Sequence, residues 1–430
     1  MKVDLIITGA GFSGVFCAAE LARSGWNVLL LDSRPESELG KPYTSIMLDV
    51  DTFSKTGIAR PQGDELLHLL DQFYAYSPSG RIKKPIDFSS LLVNGYLLLQ
   101  RLLAQGKEHA LKFVQAKVKA PLIENGAVVG VQTEDGQRFH APLVIDASGT
   151  AQVLGLQLKA GGLALSHHPL TLETDYGLAY RRLCETGLPA NELHIYFAVE
   201  GGYVWRSPND IGLGLSYWLE KEEAEARLNH AIQTFDWKIG EVTAEAMGRV
   251  PVRYPLTNMV APGFAAVGDA AFMINSVRGG GISAGLKGAR ILADVAHEVL
   301  SEKRYSQDRL WEYNLRYQRE VGAQLAYQDA MRMILMNETS ANMEFAFEKD
   351  IVTADDIRSS LGGKLLDFSP MQKLQKGLRG AANPGLLLRF NNKLHWAHDL
   401  FNHFKAYPET PLEYVQWEDH LHQIQEHLKQ

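Results

Sequence analysis

The chain of 430 residues reads as an α/β protein: a parallel sheet assembled from separated stretches, an antiparallel-sheet lobe set into it, and a helical C-terminal region. Three observations predict this. Val3 to Thr8 has the pattern of a buried strand that runs into Gly9-Ala10-Gly11-Phe12-Ser13-Gly14 and a helix to about Ser24, and Val28 to Leu31 follows as a second strand. Between about Thr171 and Val252 the segments turn short, aromatic and β-branched, separated by Gly or Asn-Asp turns. From about Gln307 onward the pattern is helical.

Composition sets the outer limits. A chain of this length exceeds one core and is expected to fold as two or three lobes, at roughly 100–200 residues each. Its 46% hydrophobic and 22% charged residues are those of a globular protein. The net charge of −7 gives no reason to expect nucleic acid as a partner. Cys17 and Cys184 form neither a CxxC pair nor a metal-ligand spacing, which fits a reducing compartment. No signal peptide opens the chain, and no apolar run reaches the ~18 residues of a membrane span. A cytoplasmic protein is expected.

The opening unit carries the first chemistry. Gly9 permits a tight turn, Gly11 lets a pyrophosphate approach the backbone, and Gly14 lets the helix pack on the sheet. Asp32, at the end of the second strand, is placed to bind a ribose diol. Strand, helix, second strand and terminal acid at this spacing predict a Rossmann-like dinucleotide site, against the alternative of a merely structural glycine turn. The acid argues against a 2′-phosphate, while Arg34 beside it leaves that variant open.

From Ser33 to Lys84 the sequence is irregular, punctuated by Pro35, Pro42, Pro61 and Pro78, and shows no chemistry. Asp87 to Gln105 reads as an amphipathic helix. Leu111 to Val118 and Ala127 to Thr133 read as strands, with Glu134-Asp135-Gly136 as a turn, and Leu143 to Gly149 as a buried strand ending in small residues. In the second lobe, Glu192 to Val199, Gly202 to Arg206 and Ile211 to Trp218 predict an antiparallel sheet.

Gly263 to Ala296 then reads as a strand (Phe264 to Val267), a Gly-Asp turn, a loop ending in Gly279-Gly280-Gly281, and a helix. Such a stretch suits a flavin. Asp269 can accept ribityl hydroxyls, and side-chain-free N–H groups at the helix start can approach a phosphate or the ring edge. Alone, it serves equally well as a strand-to-helix turn with a surface aspartate. Since Asp269 must return to the first sheet, the nucleotide domain is expected to be discontinuous.

Lys364 to Lys405 carries seven Lys or Arg against two Asp, interleaved with leucines and aromatics. A basic amphipathic stretch of this kind can lie on an anionic membrane, although any surface helix is amphipathic. His395, His398, His403, His420, His422 and His427 crowd the end of the chain without a carboxylate or cysteine to complete a ligand set, so no metal is expected there.

With Gly9 to Gly14, Asp32, Asp146 to Gly149 and Gly268-Asp269 in order, the sequence resembles the flavoproteins related to para-hydroxybenzoate hydroxylase. Within them it resembles the geranylgeranyl reductase family, with flavin-dependent halogenases as relatives. Gly202-Tyr203-Val204-Trp205-Arg206-Ser207-Pro208 is similar to the reductases' YxWxFP motif, and Gly212-Leu213-Gly214 and Gly279-Gly280-Gly281-Ile282 follow it. The likeness spans roughly residues 1–340. Ser207 stands where the reductases carry Phe, Ser276 where they usually carry Pro, and Tyr96 where an arginine opens R-x-x-F-D-x-x-L. Arg101 lies five residues on, about 140° round a helix, and does not substitute.

The resemblance implies FAD held by Gly9, Gly11, Phe12, Ser13, Gly14, Asp32, Ser33, Arg34, Val118, Gly149, Asp269, Gly279, Gly280, Gly281 and Ile282. Tyr203 and Trp205 would line the substrate cavity. The catalytic proton donor is not identified. The implied organisation is an FAD domain of residues 1–75, 106–165 and 250–300, a substrate domain of 76–105 and 166–249, and a helical region of 301–430. The implied reaction is reduction of carbon–carbon double bonds in a prenyl-like apolar substrate, with electrons from NAD(P)H or a redox protein. The alternatives are a dioxygen-using monooxygenase or halogenase, and a non-catalytic flavin-binding protein. No second strand-GxGxxG-helix unit marks a pyridine nucleotide fold.

Overall fold

The structure, a computed structural model, describes residues 3–163, 165, 175–199, 201–336 and 338–429. A six-stranded sheet forms its centre, in the spatial order Val260–Ala261, Phe264–Ala266, Leu143–Asp146, Leu5–Thr8, Val28–Asp32, Leu111–Gln115. The first two form an antiparallel hairpin, and every other pair is parallel, with Leu5 opposite both Val28 and Leu143. Strands buried on both faces need uninterrupted apolar runs. Leu5-Ile6-Ile7, Val28 to Leu31 and Leu143-Val144-Ile145 supply them and are all buried.

The helix Phe12–Arg23 packs on the long helix Ile282–Glu302 and on the helix Gly95–Lys107. The second sheet has seven strands, ordered Ala244–Pro251, Tyr176–Leu183, Asp210–Leu215, Gly202–Arg206, Glu192–Val199, Gln72–Tyr76, Lys83–Ile86. It is antiparallel except where Glu192–Val199 meets Gln72–Tyr76. The expected start of this lobe, residues 171–174, lies outside the described residues.

Two expectations need correction. The stretch from Ser33 to Lys84 is built rather than irregular: it contains the strands Ile46–Asp49, Leu66–Leu70, Gln72–Tyr76 and Lys83–Ile86 and the helix Asp51–Thr56. The amphipathic helix expected over Asp87 to Gln105 is a strand, Ser90–Val93, followed by the helix Gly95–Lys107. A four-residue apolar run has no period of its own, and pairing on both sides with Ile46–Asp49 and Leu66–Leu70 makes it a strand. Asn94 then starts the helix, its side chain accepting the Leu97 N–H at 3.2 Å.

The C-terminal region is helical. Gln307–Tyr317 runs through a π-turn, Gln318–Gly322, into Ala323–Met336, and the later helices include Ser340–Glu348, Ala354–Leu361, Pro370–Arg379, Pro384–Lys405 and Tyr414–Lys429. Among the described residues no helix is long and apolar enough to cross a membrane.

Candidate flavin and substrate site

Gly9 adopts φ of +103°, and a Cβ there would lie 2.2 Å from the Ala147 carbonyl oxygen, so the close approach just past the ends of the neighbouring strands Leu5–Thr8 and Leu143–Asp146 admits only glycine. Gly14 is equally confined, 2.0 Å from the Gly9 carbonyl oxygen. Gly11, Gly149 and Gly280 are the opposite case, since nothing lies within 4 Å of where a Cβ would point. The contrast separates glycines needed for packing from glycines that leave the backbone open to another molecule.

Ser13 joins the two helix N-termini. Its hydroxyl lies where a Cβ on Gly268 or Gly285 would sit, at 2.8 and 2.4 Å. The starts of Phe12–Arg23 and Ile282–Glu302 thus converge beside Asp269, and a Cβ on Gly281 would come within 2.8 Å of the Asp269 carboxylate. Among the described residues no hydrogen bond reaches that carboxylate, and desolvation raises it to about 6. A partly buried acceptor without a donor, flanked by two positive helix ends, can take hydroxyls from a bound molecule, while the helix ends take its anionic groups.

Asp32 is held differently. Its carboxylate accepts from the Ala10 N–H at 2.8 Å and from the Arg34 N–H and Nε at 2.9 and 3.1 Å. Burial alone would raise Asp32, but the bonds from Arg34 and Ala10 hold it below its usual range. Ser33 offers its carbonyl to Gln115. Phe12 and Val118 turn their side chains into the core, and Phe12 packs edge-on against Tyr43. Ile282 begins the long helix and is partly buried.

On the second sheet Tyr203 faces Gly214 and Trp205 faces Gly212. Each ring lies across its partner: a Cβ would come within 2.4 Å of Tyr203 and 2.1 Å of Trp205. Gly212-Leu213-Gly214 is therefore a bed for two aromatic rings, whose centroids are 6.0 Å apart. Tyr203 donates to the Arg278 carbonyl at 2.9 Å, next to Gly279, which brings the second lobe to the glycine turn. Trp205 Nε1 donates to Asp210 at 3.2 Å, and Ser207 Oγ donates to the same carboxylate at 2.5 Å.

A cavity of about 100 Å³ opens here, lined by Tyr203, Gly279, Val277, Phe197, Met343 and Arg332 among others. Trp205 is not among its lining residues; it packs behind Tyr203. A larger cavity of about 240 Å³ within the C-terminal helices shares Phe197, Val277 and Met343 with the first, so the two adjoin.

Sequence reading passed over three residues at this junction. Tyr43 lies close enough to Asp269 that, after burial, the aspartate is the main influence raising its hydroxyl. Asp49 accepts from Arg278 at 2.7 Å and steadies the glycine turn. Arg181 donates to the Ser45 and Pro42 carbonyls, tying the lobes together. Two of the three, Tyr43 and Asp49, lie in the proline-punctuated stretch, where no local pattern marks them. Arg101 grips Glu65 with two bonds of 2.8 Å.

Sheet, converging helix starts and adjoining apolar cavities make a candidate site for a flavin dinucleotide beside an apolar ligand. The chain belongs to the tryptophan halogenase family, whose sequence pattern matches residues 80–336. Among curated proteins it is similar to digeranylgeranylglycerophospholipid reductase of Sulfolobus acidocaldarius, 24% identical over 97% of this chain and 96% of the relative. Among solved structures it is similar to a geranylgeranyl bacteriochlorophyll reductase-like protein of Thermoplasma acidophilum, with TM-score 0.74 and 18% identity over 91% of this chain and 99% of that one. The flavin halogenase PltM, solved with FAD, shares the fold at TM-score 0.60 and 13% identity, over 99% of this chain and 96% of that one.

Proposed function

We propose that the chain reduces carbon–carbon double bonds of an elongated, prenyl-like substrate. The observation that carries this is the pair of adjoining cavities, which runs from Tyr203 and Gly279 into a mostly apolar space between the C-terminal helices. A long apolar molecule needs such a path, with few polar groups along it. The curated relatives, named as reductases of a prenylated phospholipid, support the same substrate class.

In this reading Gly11 and Ser13 receive the FAD pyrophosphate at the first helix start, Asp32 the ribose, Asp269 the ribityl hydroxyls, and Gly280 and Gly281 the ring edge. When bound and reduced, FAD would supply a hydride to one alkene carbon while a proton, ultimately from solvent, reaches the neighbouring carbon. Tyr203 holds the glycine turn through the Arg278 carbonyl and forms a wall of the cavity, while Phe197, Val277 and Met343 exclude water from it. The division into FAD, substrate and helical parts is proposed with these roles. Electrons would come from outside the chain, from NAD(P)H or a redox protein. The setting we propose is a cytoplasmic protein meeting a membrane at its surface.

A second reading, oxygen-dependent halogenation or hydroxylation, is favoured by the family pattern. A halogenase would need a lysine over the path from the flavin; among the described residues the cavity beside Gly279 has Arg332 as its cation, and the lysines of the path, Lys373 and Lys376, line the larger cavity beyond it. The test is to reduce the protein chemically without oxygen, add polyprenyl compounds, and weigh the products. We expect two added hydrogens per double bond. Product that forms only with oxygen, carrying oxygen or halogen, would move the chain to the second reading.

A further inference from the structure

The helix Pro370–Arg379 is folded with its polar side inward. Lys376 donates to Asp356 and to the Ile351 carbonyl, both at 2.5 Å, and Arg379 donates to the Asp350 carbonyl at 3.3 Å. Lys373, Lys376 and Gly377 line the larger cavity. None of the helix is buried, and Met371, Leu374 and Leu378, at i, i+3 and i+7, face outward with exposures of 63%, 58% and 70%. Leu388, in the first turns of the next helix, is 70% exposed as well. An ordinary surface helix turns its apolar stripe to the core. This one does the reverse, with the apolar cavity directly behind it.

We propose that this helix docks on an anionic phospholipid bilayer, its Met371-Leu374-Leu378 stripe seated among the acyl chains, and that lipid substrate passes between it and the helix Pro384–Lys405 into the cavity behind. The proposal rests on the reading of the chain as a reductase of lipid-like alkenes. Charge selects the occupant: the chain is net −7, yet Lys364 to Lys405 holds seven Lys or Arg against two Asp, and although Lys376 and Arg389 are in ion pairs with Asp356 and Glu338, Lys364 and Lys373 are exposed. Area points the same way. A ten-residue helix is about 15 Å long and offers one stripe of about 150 Å². A stable protein partner needs about 800 Å² per side. One amphipathic helix with basic flanks suffices for a membrane interface. Gly380 packs against Leu387 at the turn between the two helices, and both line the larger cavity, through Lys373 and Gly377 on one and Leu387, Phe390 and Leu394 on the other.

The test compares the FAD-loaded protein with a variant carrying Met371→Ser, Leu374→Ser and Leu378→Ser. All three side chains are exposed and line neither cavity. Pelleting with phosphatidylcholine vesicles containing phosphatidylglycerol is expected to fall about tenfold in the variant, with flavin content and melting temperature unchanged. Turnover of a polyprenyl lipid embedded in those vesicles is expected to fall with it, while turnover of detergent-dispersed lipid stays level. Equal pelleting of the two proteins, or no pelleting of either, overturns the docking. A parent dimer that becomes monomeric in the variant, without vesicle binding, assigns the stripe to a second copy. Equal turnover of embedded lipid overturns the portal. Pelleting does not depend on the reaction, so a protein that docks through this helix but adds oxygen sinks the reductase reading and leaves the docking intact.

Discussion

Asp269 concentrates the chemistry of the site in one carboxylate. The sequence singled it out only together with the first glycine motif and Asp32, since a Gly-Asp turn between an apolar strand and a glycine-rich helix serves equally well as a structural turn. What the sequence could not show is that Gly281 and Ser13 close around it. Asp269→Ala removes the acceptor for buried hydroxyls and is expected to weaken FAD binding by about 1–3 kcal/mol, read by titrating apo-protein with FAD. Unchanged affinity would remove Asp269 from the flavin site. The same group gives a pH signature. Desolvation raises its carboxyl from 3.8 to about 6, so the folded apo-protein holds the proton more tightly than the unfolded chain. Stability from this group is full below about pH 4 and is lost as pH rises through about 6. Asp269→Asn should flatten that part of the apo-protein's stability profile, and a parallel profile would refute the assignment.

At the scale of elements, the beds of Gly212 and Gly214 explain a motif that the sequence presented as spacing alone. The rings of Tyr203 and Trp205 lie across the facing strand, so the glycines are there for room. Gly212→Ala would drive a methyl into the Trp205 ring and is expected to cost about 1–3 kcal/mol of stability by overpacking, measured by denaturant unfolding. A neutral result would mean that the ring is free to move. Trp205→Ala separates packing from function: turnover should fall with flavin content retained, because Trp205 supports Tyr203 at the cavity wall. Equal loss of both would make it a core residue only. Long periodic elements such as Ile282–Glu302 were legible, whereas the strands between Ile46 and Val93 were not. Gln72–Tyr76 takes one partner from far along the chain, Glu192–Val199, and Pro85 sits in its other partner, the edge strand Lys83–Ile86, where a missing N–H is tolerated but the strand pattern is broken.

For the whole molecule, the decisive feature is that the candidate flavin site gathers Gly11, Asp32, Gly149, Asp269 and Gly280 from across most of the length of the chain. The unfolded chain cannot present them together, so FAD should bind the folded state alone and stabilise it by mass action. At a hundredfold excess over the dissociation constant this amounts to about 2.7 kcal/mol. The lobes are tied by Tyr203 to Arg278 and by Arg181 to Ser45 and Pro42, so the gain should spread through both sheets and appear as one raised melting transition. Arg278→Ala keeps every proposed flavin contact but cuts the ion pair to Asp49 that steadies the glycine turn. It should reduce the FAD-induced rise and also lower the apo-protein's melting temperature, because the pair is largely buried, at 13% and 23% exposure, and its loss leaves Asp49 with Lys287 at 4.0 Å. Scanning calorimetry with and without FAD decides this. A rise in only one of two separate transitions would show the lobes to be energetically independent, and an undiminished rise in Arg278→Ala would show that the turn holds its shape without Asp49.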